Sequence, residues 1–154
     1  MGRMHGINHG YDLDGTICNQ RKPTGFQKWL LTYFGTKYAW WFHHNNYVIL
    51  VPEDPFIIIT ARPEKDRKYT QRWLDRHGIH PTKLIMMKKF SRDYKVVGEY
   101  KAMEIIANRL TFYYEDNREV FLEIIKILST KPHPIKCFLV SEGKILMTEI
   151  VENN

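Results

Sequence analysis

Apolar positions along this chain fall into two alternating rhythms. Short apolar runs at Tyr47 to Val51, Phe56 to Ile59, Leu84 to Met87, Leu110 to Glu115 and Ile135 to Val140 predict strands. Between them lie stretches with helical spacing. Thr24 to Phe34 predicts a helix, with Thr24 as its cap, Phe26, Trp29, Leu30 and Tyr33 on one face, and Gly35 as its stop. A second helix is expected after Thr60, with Pro63 in its first turn, running to about Arg76 and stopped by Gly78. Glu99 to Arg109 predicts a third, with Met103, Ile106 and Leu110 inward. Asn117 to Leu128 predicts a fourth, with Val120, Ile124, Ile127 and Leu128 inward. Tyr38 to Asn46 fits neither rhythm. Pro52-Glu53-Asp54-Pro55 reads as a turn and Pro132-His133-Pro134 as a connector. Ile7 to Asp12 is expected as the first strand because of the residues that end it, since Asn8, His9 and Gly10 are poor material for a buried strand.

Strands alternating with helices predict an α/β fold, a parallel sheet covered on both faces. Ligands in such sheets sit outside the carboxyl ends of the strands. Asp12, Thr60 and Asp116 each close a predicted strand or lie just past one. Three strand ends therefore bring chemistry to one edge.

A length of 154 residues fits one domain, with an aromatic-rich insertion at about 20–50. The balance of 44% hydrophobic and 26% charged residues is that of a globular protein. Two cysteines, Cys18 and Cys137, make neither a disulfide framework nor a zinc spacing, and predict reduced thiols in a cytoplasmic setting. No segment has the length of a membrane span or the apolar core of a signal peptide, and Met1-Gly2 followed by Gly6 is not a myristoylation signal. The formal net charge of +6 favours a phosphorylated or polyanionic partner.

Asp12-Leu13-Asp14-Gly15-Thr16 carries the chemistry. Residues two apart in an extended strand point the same way, so both carboxylates can approach one point. That arrangement suits a bound Mg²⁺ beside a nucleophile. An Asp carboxylate can attack phosphorus, and a second can protonate the leaving group. The stretch resembles the first motif of the haloacid-dehalogenase (HAD) superfamily of phosphohydrolases. Later motifs follow in order: Phe56-Ile57-Ile58-Ile59-Thr60, Lys101 at the head of Lys-Ala-Met-Glu-Ile-Ile, and Tyr113-Tyr114-Glu115-Asp116-Asn117. The resemblance spans roughly Ile7 to Val140 and implies a Rossmann-like three-layer sandwich with a small flap or cap after the first strand.

The resemblance makes Asp12 the expected nucleophile and Asp14 the expected general acid and base. Thr60 would grip the phosphate and Lys101 would neutralise charge between Asp12 and the phosphoryl group, with Lys95 as a competing lysine. Gly15 and Thr16 belong to the phosphate-binding turn. Mg²⁺ would be held by the Asp12 side chain, the backbone carbonyl of Asp14, and Asp116 or Glu115, with Asp116 preferred. Arg62 either touches the phosphate or pairs with an acid. His43-His44 and the His5/His9 pair lack a ligand set for a transition metal.

Lys65, Lys68, Arg72 and Arg76 share one sector of a predicted helix, and Lys88, Lys89, Arg92 and Lys95 form a second basic group. Each reads either as a solvated surface or as a nucleic-acid track. The insertion with Trp40-Trp41-Phe42 either packs on the core or stacks bases. No large cap is expected, and an open site suits a bulky substrate. Ile59-Thr60-Ala61-Arg62, Tyr69-Thr70-Gln71-Arg72-Trp73-Leu74 and Glu115-Asp116-Asn117-Arg118-Glu119-Val120 look like the phosphatase domain of phage-type polynucleotide kinases, without a kinase phosphate loop. The expected function is therefore a Mg²⁺-dependent phosphomonoester hydrolase acting through an aspartyl-phosphate, with the 3′-phosphate of a polynucleotide as candidate substrate. The alternatives are a phosphatase of nucleotides or sugar phosphates, and a catalytically silent basic module that binds nucleic acid.

Overall fold

In the computed structural model, residues 8–20, 23–132 and 134–152 are described. Expectations resting on Met1, Gly2, His5, Gly6, Ile7, His133 or the Trp40 side chain lie outside the described residues. The elements are β1 (His9–Tyr11), α1 (Gly25–Phe34), α2 (Thr36–His44), β2 (Phe56–Pro63), a 3-10 turn (Glu64–Asp66), α3 (Arg67–Arg76), β3 (Lys83–Met87), α4 (Tyr94–Ala107), β4 (Phe112–Glu115), α5 (Arg118–Leu128), β5 (Ile135–Ser141) and β6 (Lys144–Val151). They build a six-stranded sheet in the order β3-β2-β1-β4-β5-β6. Five strands are parallel, and β6 runs antiparallel to β5. The expected α/β fold with a central, mostly parallel sheet is therefore the observed one.

One face of the sheet is covered by α4 and α5, whose Val97, Ala102, Ile105, Phe121, Ile124 and Leu128 pack with Tyr113 and Cys137. On the other face, Trp73 and Leu74 of α3 pack on Tyr11, Phe56 and Ile58. β1 lies at the middle of the sheet although its pattern is weak, and two contacts explain this. Tyr11 stacks on Tyr114 at 4.4 Å between ring centroids, and Tyr114 stacks on Phe138 at 4.7 Å. Cross-strand rings thus supply what aliphatic residues would supply elsewhere. Gly10 is where Leu110 presses on the sheet: a Cβ there would fall 2.3 Å from Leu110 Cδ1.

Several predicted boundaries move. Tyr47 to Val51 forms no strand; it makes one bridging pair, Val48 with Cys18, and Ile49 N donates to Ile17 O at 2.8 Å. Phe56–Pro63 takes the place beside β1 instead. Pro63 ends β2 rather than starting a helix, and Thr60 lies inside the strand, at the point after which pairing with β3 shifts register. α4 begins at Tyr94, not Glu99, and its buried face is Val97, Gly98, Lys101, Ala102 and Ile105, while Met103 is exposed. In α5, Val120, Ile124 and Leu128 are buried and Ile127 packs half-buried against the core as expected, and Phe121 joins them fully buried. The ambiguous Tyr38 to Asn46 lies largely in α2.

α1 has the predicted boundaries, closed by a Thr24–Gln27 capping box and by Gly35. Its aromatic face exists but does not enter the core: Phe26, Trp29 and Tyr33 stack on each other at 5.9 and 4.9 Å and remain exposed. Within the insertion, Phe42 is buried and Trp41 is exposed. No helix among the described residues is long and apolar enough to cross a membrane.

Candidate active site

The chain runs from β1 outward to β2 and β3 on one side, then returns to β4 and β5 on the other. The carboxyl ends of β1 and β4 therefore flank the point where strand order reverses, the place where open α/β sheets bind ligands. Asp12 follows β1 immediately, and its N–H still donates to Tyr114 O at 2.9 Å. Glu115 closes β4, and Asp116 follows it. Among the described residues, Asp12, Glu115 and Asp116 each bring a carboxylate oxygen within 4.8 Å of the other two.

Lys101 projects into this group from the buried face of α4. Its Nζ lies 2.9 Å from Asp12 Oδ1 and 2.7 Å from Glu115 Oε2. The competing Lys95 is exposed at the start of the helix. The helix does not begin beside Lys101, as its sequence pattern predicted, but at Tyr94, beside Lys95, which leaves Lys101 in mid-helix. Glu115 is fully engaged: Oε2 also accepts from Tyr113 Oη at 3.4 Å, and Oε1 accepts from Asn117 N at 3.2 Å. Asp116 has no cation within ion-pair distance among the described residues. It leans over Gly15, where a Cβ would fall 2.0 Å from Asp116 Oδ2. With φ +85°, Gly15 also holds a backbone conformation that side chains disfavour.

Asp14 takes a different cation. Arg62, two residues past Thr60, donates from Nε to Asp14 Oδ2 at 2.8 Å and from Nη2 to Asp14 Oδ1 at 2.5 Å. Of the two expected roles of Arg62, this two-pronged pair is the contact with an acid. Thr70 Oγ1 accepts from Arg62 Nη1 at 3.3 Å, and Thr60 Oγ1 accepts from Arg62 N at 3.2 Å. Cys18 Sγ donates to Asp14 Oδ1 at 3.5 Å. Thr16 is buried in the same turn, with its hydroxyl left without a hydrogen-bond partner.

These partners set the electrostatics. Burial drives the Asp12 carboxyl up from its ordinary value; Lys101 pulls it back, while Glu115 and Asp14 add to the rise. Asp116 is pushed up by burial and then by the charges of Asp12 and Glu115. Burial would raise Asp14 as well, but the Arg62 guanidinium outweighs it and takes the carboxyl well below the usual range. Burial opposes the charge of Lys101, yet Asp12 and Glu115 hold its pKa above the ordinary lysine value. The trio carries more negative charge than Lys101 offsets. Its donors are all carboxylate oxygens, the set that suits a hard divalent cation. The Asp14 carboxylate is not in the trio.

Asp12, Asp14, Thr60, Arg62, Lys101, Glu115 and Asp116 all line one cleft of about 710 Å³. Its remaining walls come from α1, α2, the 3-10 turn, α3, the segment before α4 and the first turns of α4 and α5. Of the two basic groups, Lys65, Arg76 and Arg92 line the cleft, and Lys68, Arg72, Lys88, Lys89 and Lys95 do not. Sequence reasoning missed Tyr113 and Thr70. Tyr113 was accessible by alternation, since it lies two before Glu115 on the same strand face. Thr70 has no local signal.

No protein-family profile matches the chain, and no curated protein matches it. Among solved structures, the fold is similar to a chain in a structure described as the Pnkp1/Rnl/Hen1 RNA repair complex. The TM-score is 0.53 and the identity 19%, over 86% of this chain and 41% of that one. This chain thus spans less than half the length of its structural neighbour, and at that identity the likeness concerns the fold.

Proposed function

We propose that this chain is a Mg²⁺-dependent phosphomonoester hydrolase of HAD type that acts on phosphorylated nucleic acid ends. One observation carries the reading. Asp12 sits at the end of a central strand, ion-paired to a buried lysine and grouped with two further carboxylates on one cleft. The motif resemblance assigns these same positions to phosphoryl transfer. The neighbouring fold occurs in a complex described by RNA repair, which agrees with an end-processing substrate.

In this reading, Asp12 and Asp116 hold the Mg²⁺ together with the Asp14 backbone carbonyl, because Glu115 is already engaged by Lys101, Tyr113 and Asn117. When bound, the ion supplies charge neutralisation at the phosphoryl oxygens. The free Asp12 carboxylate oxygen attacks phosphorus, the bond from phosphorus to the leaving oxygen breaks, and Asp14 gives that oxygen a proton. Asp14 then takes a proton from the water that cleaves the aspartyl-phosphate and regenerates Asp12. Lys101 fixes the attacking carboxylate. Arg62 must release Asp14 for this cycle, and a phosphate dianion is the natural competitor for its guanidinium. A second reading, a small phosphate ester as substrate, is favoured by the cleft volume, which would admit a single nucleotide.

The test is phosphate release with Mg²⁺ from a 3′-phosphorylated oligonucleotide and from a nucleoside monophosphate, with Asp12→Asn as control. Preferential release from the oligonucleotide, abolished in a folded Asp12→Asn protein, is expected. Release only from the monophosphate would select the second reading. Full activity in Asp12→Asn would refute the mechanism, and strand binding without any release would identify a silent binding module.

A further inference from the structure

Charge in the cleft is layered. Its floor holds Asp12, Glu115 and Asp116, and the two deep cations, Lys101 and Arg62, are both engaged by carboxylates. Arg76 of α3 lines its walls but is hydrogen-bonded to the His44 ring; the other wall cations are Lys28 from α1, Lys65 from the 3-10 turn and Arg92 from the segment before α4. All three are exposed, and among the described residues none lies within ion-pair distance of a carboxylate. They come from three separate elements, so the solvated face of a single helix does not account for them. Lys68 and Arg72, neighbours of Lys65 in sequence, lie outside the cleft and serve as the contrast. The same wall presents aromatic surface. Phe90 is 59% exposed and Tyr94 43% exposed, and the Arg92 guanidinium sits 6.0 Å from the Phe90 ring centre.

Under the proposed function, one phosphate group would be met by Arg62 and by a Mg²⁺ held on the floor, with no need of the wall. Three further unpaired cations fit a ligand that carries several phosphates, and an exposed ring beside them fits a base. We propose that this wall holds the single strand leading to the reacting phosphate: Lys28, Lys65 and Arg92 take its phosphodiesters, and one base stacks on Phe90. The assignment rests on the proposed function for placing the strand's phosphorylated end at the floor. Strand binding itself can be measured without turnover.

The experiment is fluorescence anisotropy with a labelled single-stranded oligonucleotide bearing a 3′-phosphate, titrated with the full chain over a salt series. For single strands, the slope of log K against log salt changes by about 0.7 for each phosphate contact. Each of Lys28→Ala, Lys65→Ala and Arg92→Ala should flatten the slope by about that amount, and the triple variant by about 2. Lys68→Ala/Arg72→Ala should keep the original slope. Phe90→Ala should weaken binding at least about fivefold with the slope unchanged. Equal flattening by the Lys68/Arg72 pair would overturn the proposal, since it would mark diffuse attraction to a basic surface. So would absence of salt-dependent binding, or displacement by a nucleoside diphosphate as effective as by unlabelled strand. The expected binding pattern in a protein that releases phosphate from nothing would keep the wall and refute the hydrolase. Phosphate release with strand binding indifferent to the three wall residues would do the reverse.

Discussion

Lys101→Met isolates the electrostatics of the floor. Methionine keeps most of the volume and removes the charge, so no large cavity opens. The structure puts Nζ 2.9 Å from Asp12 and 2.7 Å from Glu115, with the three side chains 2%, 8% and 1% exposed. Screening by solvent is therefore slight. At an effective dielectric of about 20, each contact is worth about 6 kcal/mol of gross attraction. The measurable loss is smaller, because desolvating the lysine offsets part of it and a stranded carboxylate can take up a proton. Proton uptake limits the loss, because a carboxylate deprived of its cation can become neutral at a cost of about 1.36 kcal/mol for each pH unit above its pKa. Breaking a buried pair typically costs ~3–5 kcal/mol.

The sign follows from Asp12. Its folded pKa is already raised by burial, and losing Lys101 removes the largest effect that lowers it. The folded variant then binds a proton that the unfolded chain has released, so its stability falls as pH rises from about 4 to the raised folded value. Because wild-type Asp12 is itself raised to about 7, the pH-dependent part of the penalty lies above that value: urea unfolding in chelator, followed by circular dichroism, should show a loss of about 3–5 kcal/mol that changes little between pH 5.5 and 7 and grows toward pH 8.5, with a melting point lower by roughly 10 °C at pH 7. A Lys101→Met/Asp12→Asn double variant should recover part of the loss. A penalty below about 1 kcal/mol, or one that grows as pH falls, would refute the claim that Lys101 offsets buried carboxylate charge.

Mg²⁺ should raise the melting point of the wild-type protein by roughly 5–10 °C at a concentration about 100-fold above its dissociation constant, and Asp116→Asn should remove most of that shift in a thermal melt. Gly15→Ala should cost about 1–3 kcal/mol, because φ +85° and the approach of Asp116 both exclude a Cβ, and calorimetric titration should show weakened Mg²⁺ binding. Arg62→Ala should cost about 3–5 kcal/mol at pH 7 by stranding Asp14. Asp14 has a depressed folded pKa, so the Arg62 contribution is full above about pH 4 and fades as pH falls toward the folded value, which urea titrations at pH 7 and pH 3 would reveal.

The floor of the cleft was readable in the sequence because its residues are fixed by local backbone and strand order. Asp12, Glu115 and Asp116 leave adjacent central strands at the same edge; the βα alternation placed Glu115 and Asp116, while β1 was legible only through the Asp-Leu-Asp-Gly-Thr motif that ends it. The walls were less readable. Tyr47 to Val51 has strand composition, but the position beside β1 goes to Phe56–Pro63, and sequence preference alone cannot arbitrate between two competing strands. The α4 face was misjudged because a lysine occupies the middle of its buried side. A buried cation breaks the apolar period at the position where the site needs it, so Met103 seemed the inward residue. The α1 face was seen correctly as aromatic, but a hydrophobic period records amphipathicity and not what covers it.

Asp12 and Asp14 were expected to share one point, and their separation changes the argument about mechanism. β1 ends at Tyr11, so Asp14 lies in the turn and reaches Arg62, while Asp12 reaches Lys101. Burial pushes Asp12 up, and the Arg62 guanidinium holds Asp14 down. Under the proposed function both directions are opposite to need, since a nucleophile must be ionised and an acid must carry its proton. Each ligand of the reaction corrects one of them. A divalent cation shared by Asp12 and Asp116 lowers Asp12, and a substrate phosphate drawing Arg62 away raises Asp14. On that reading the pair would be set for chemistry only with metal and phosphate both in the cleft, and water alone would be a poor trigger for proton transfer at this site.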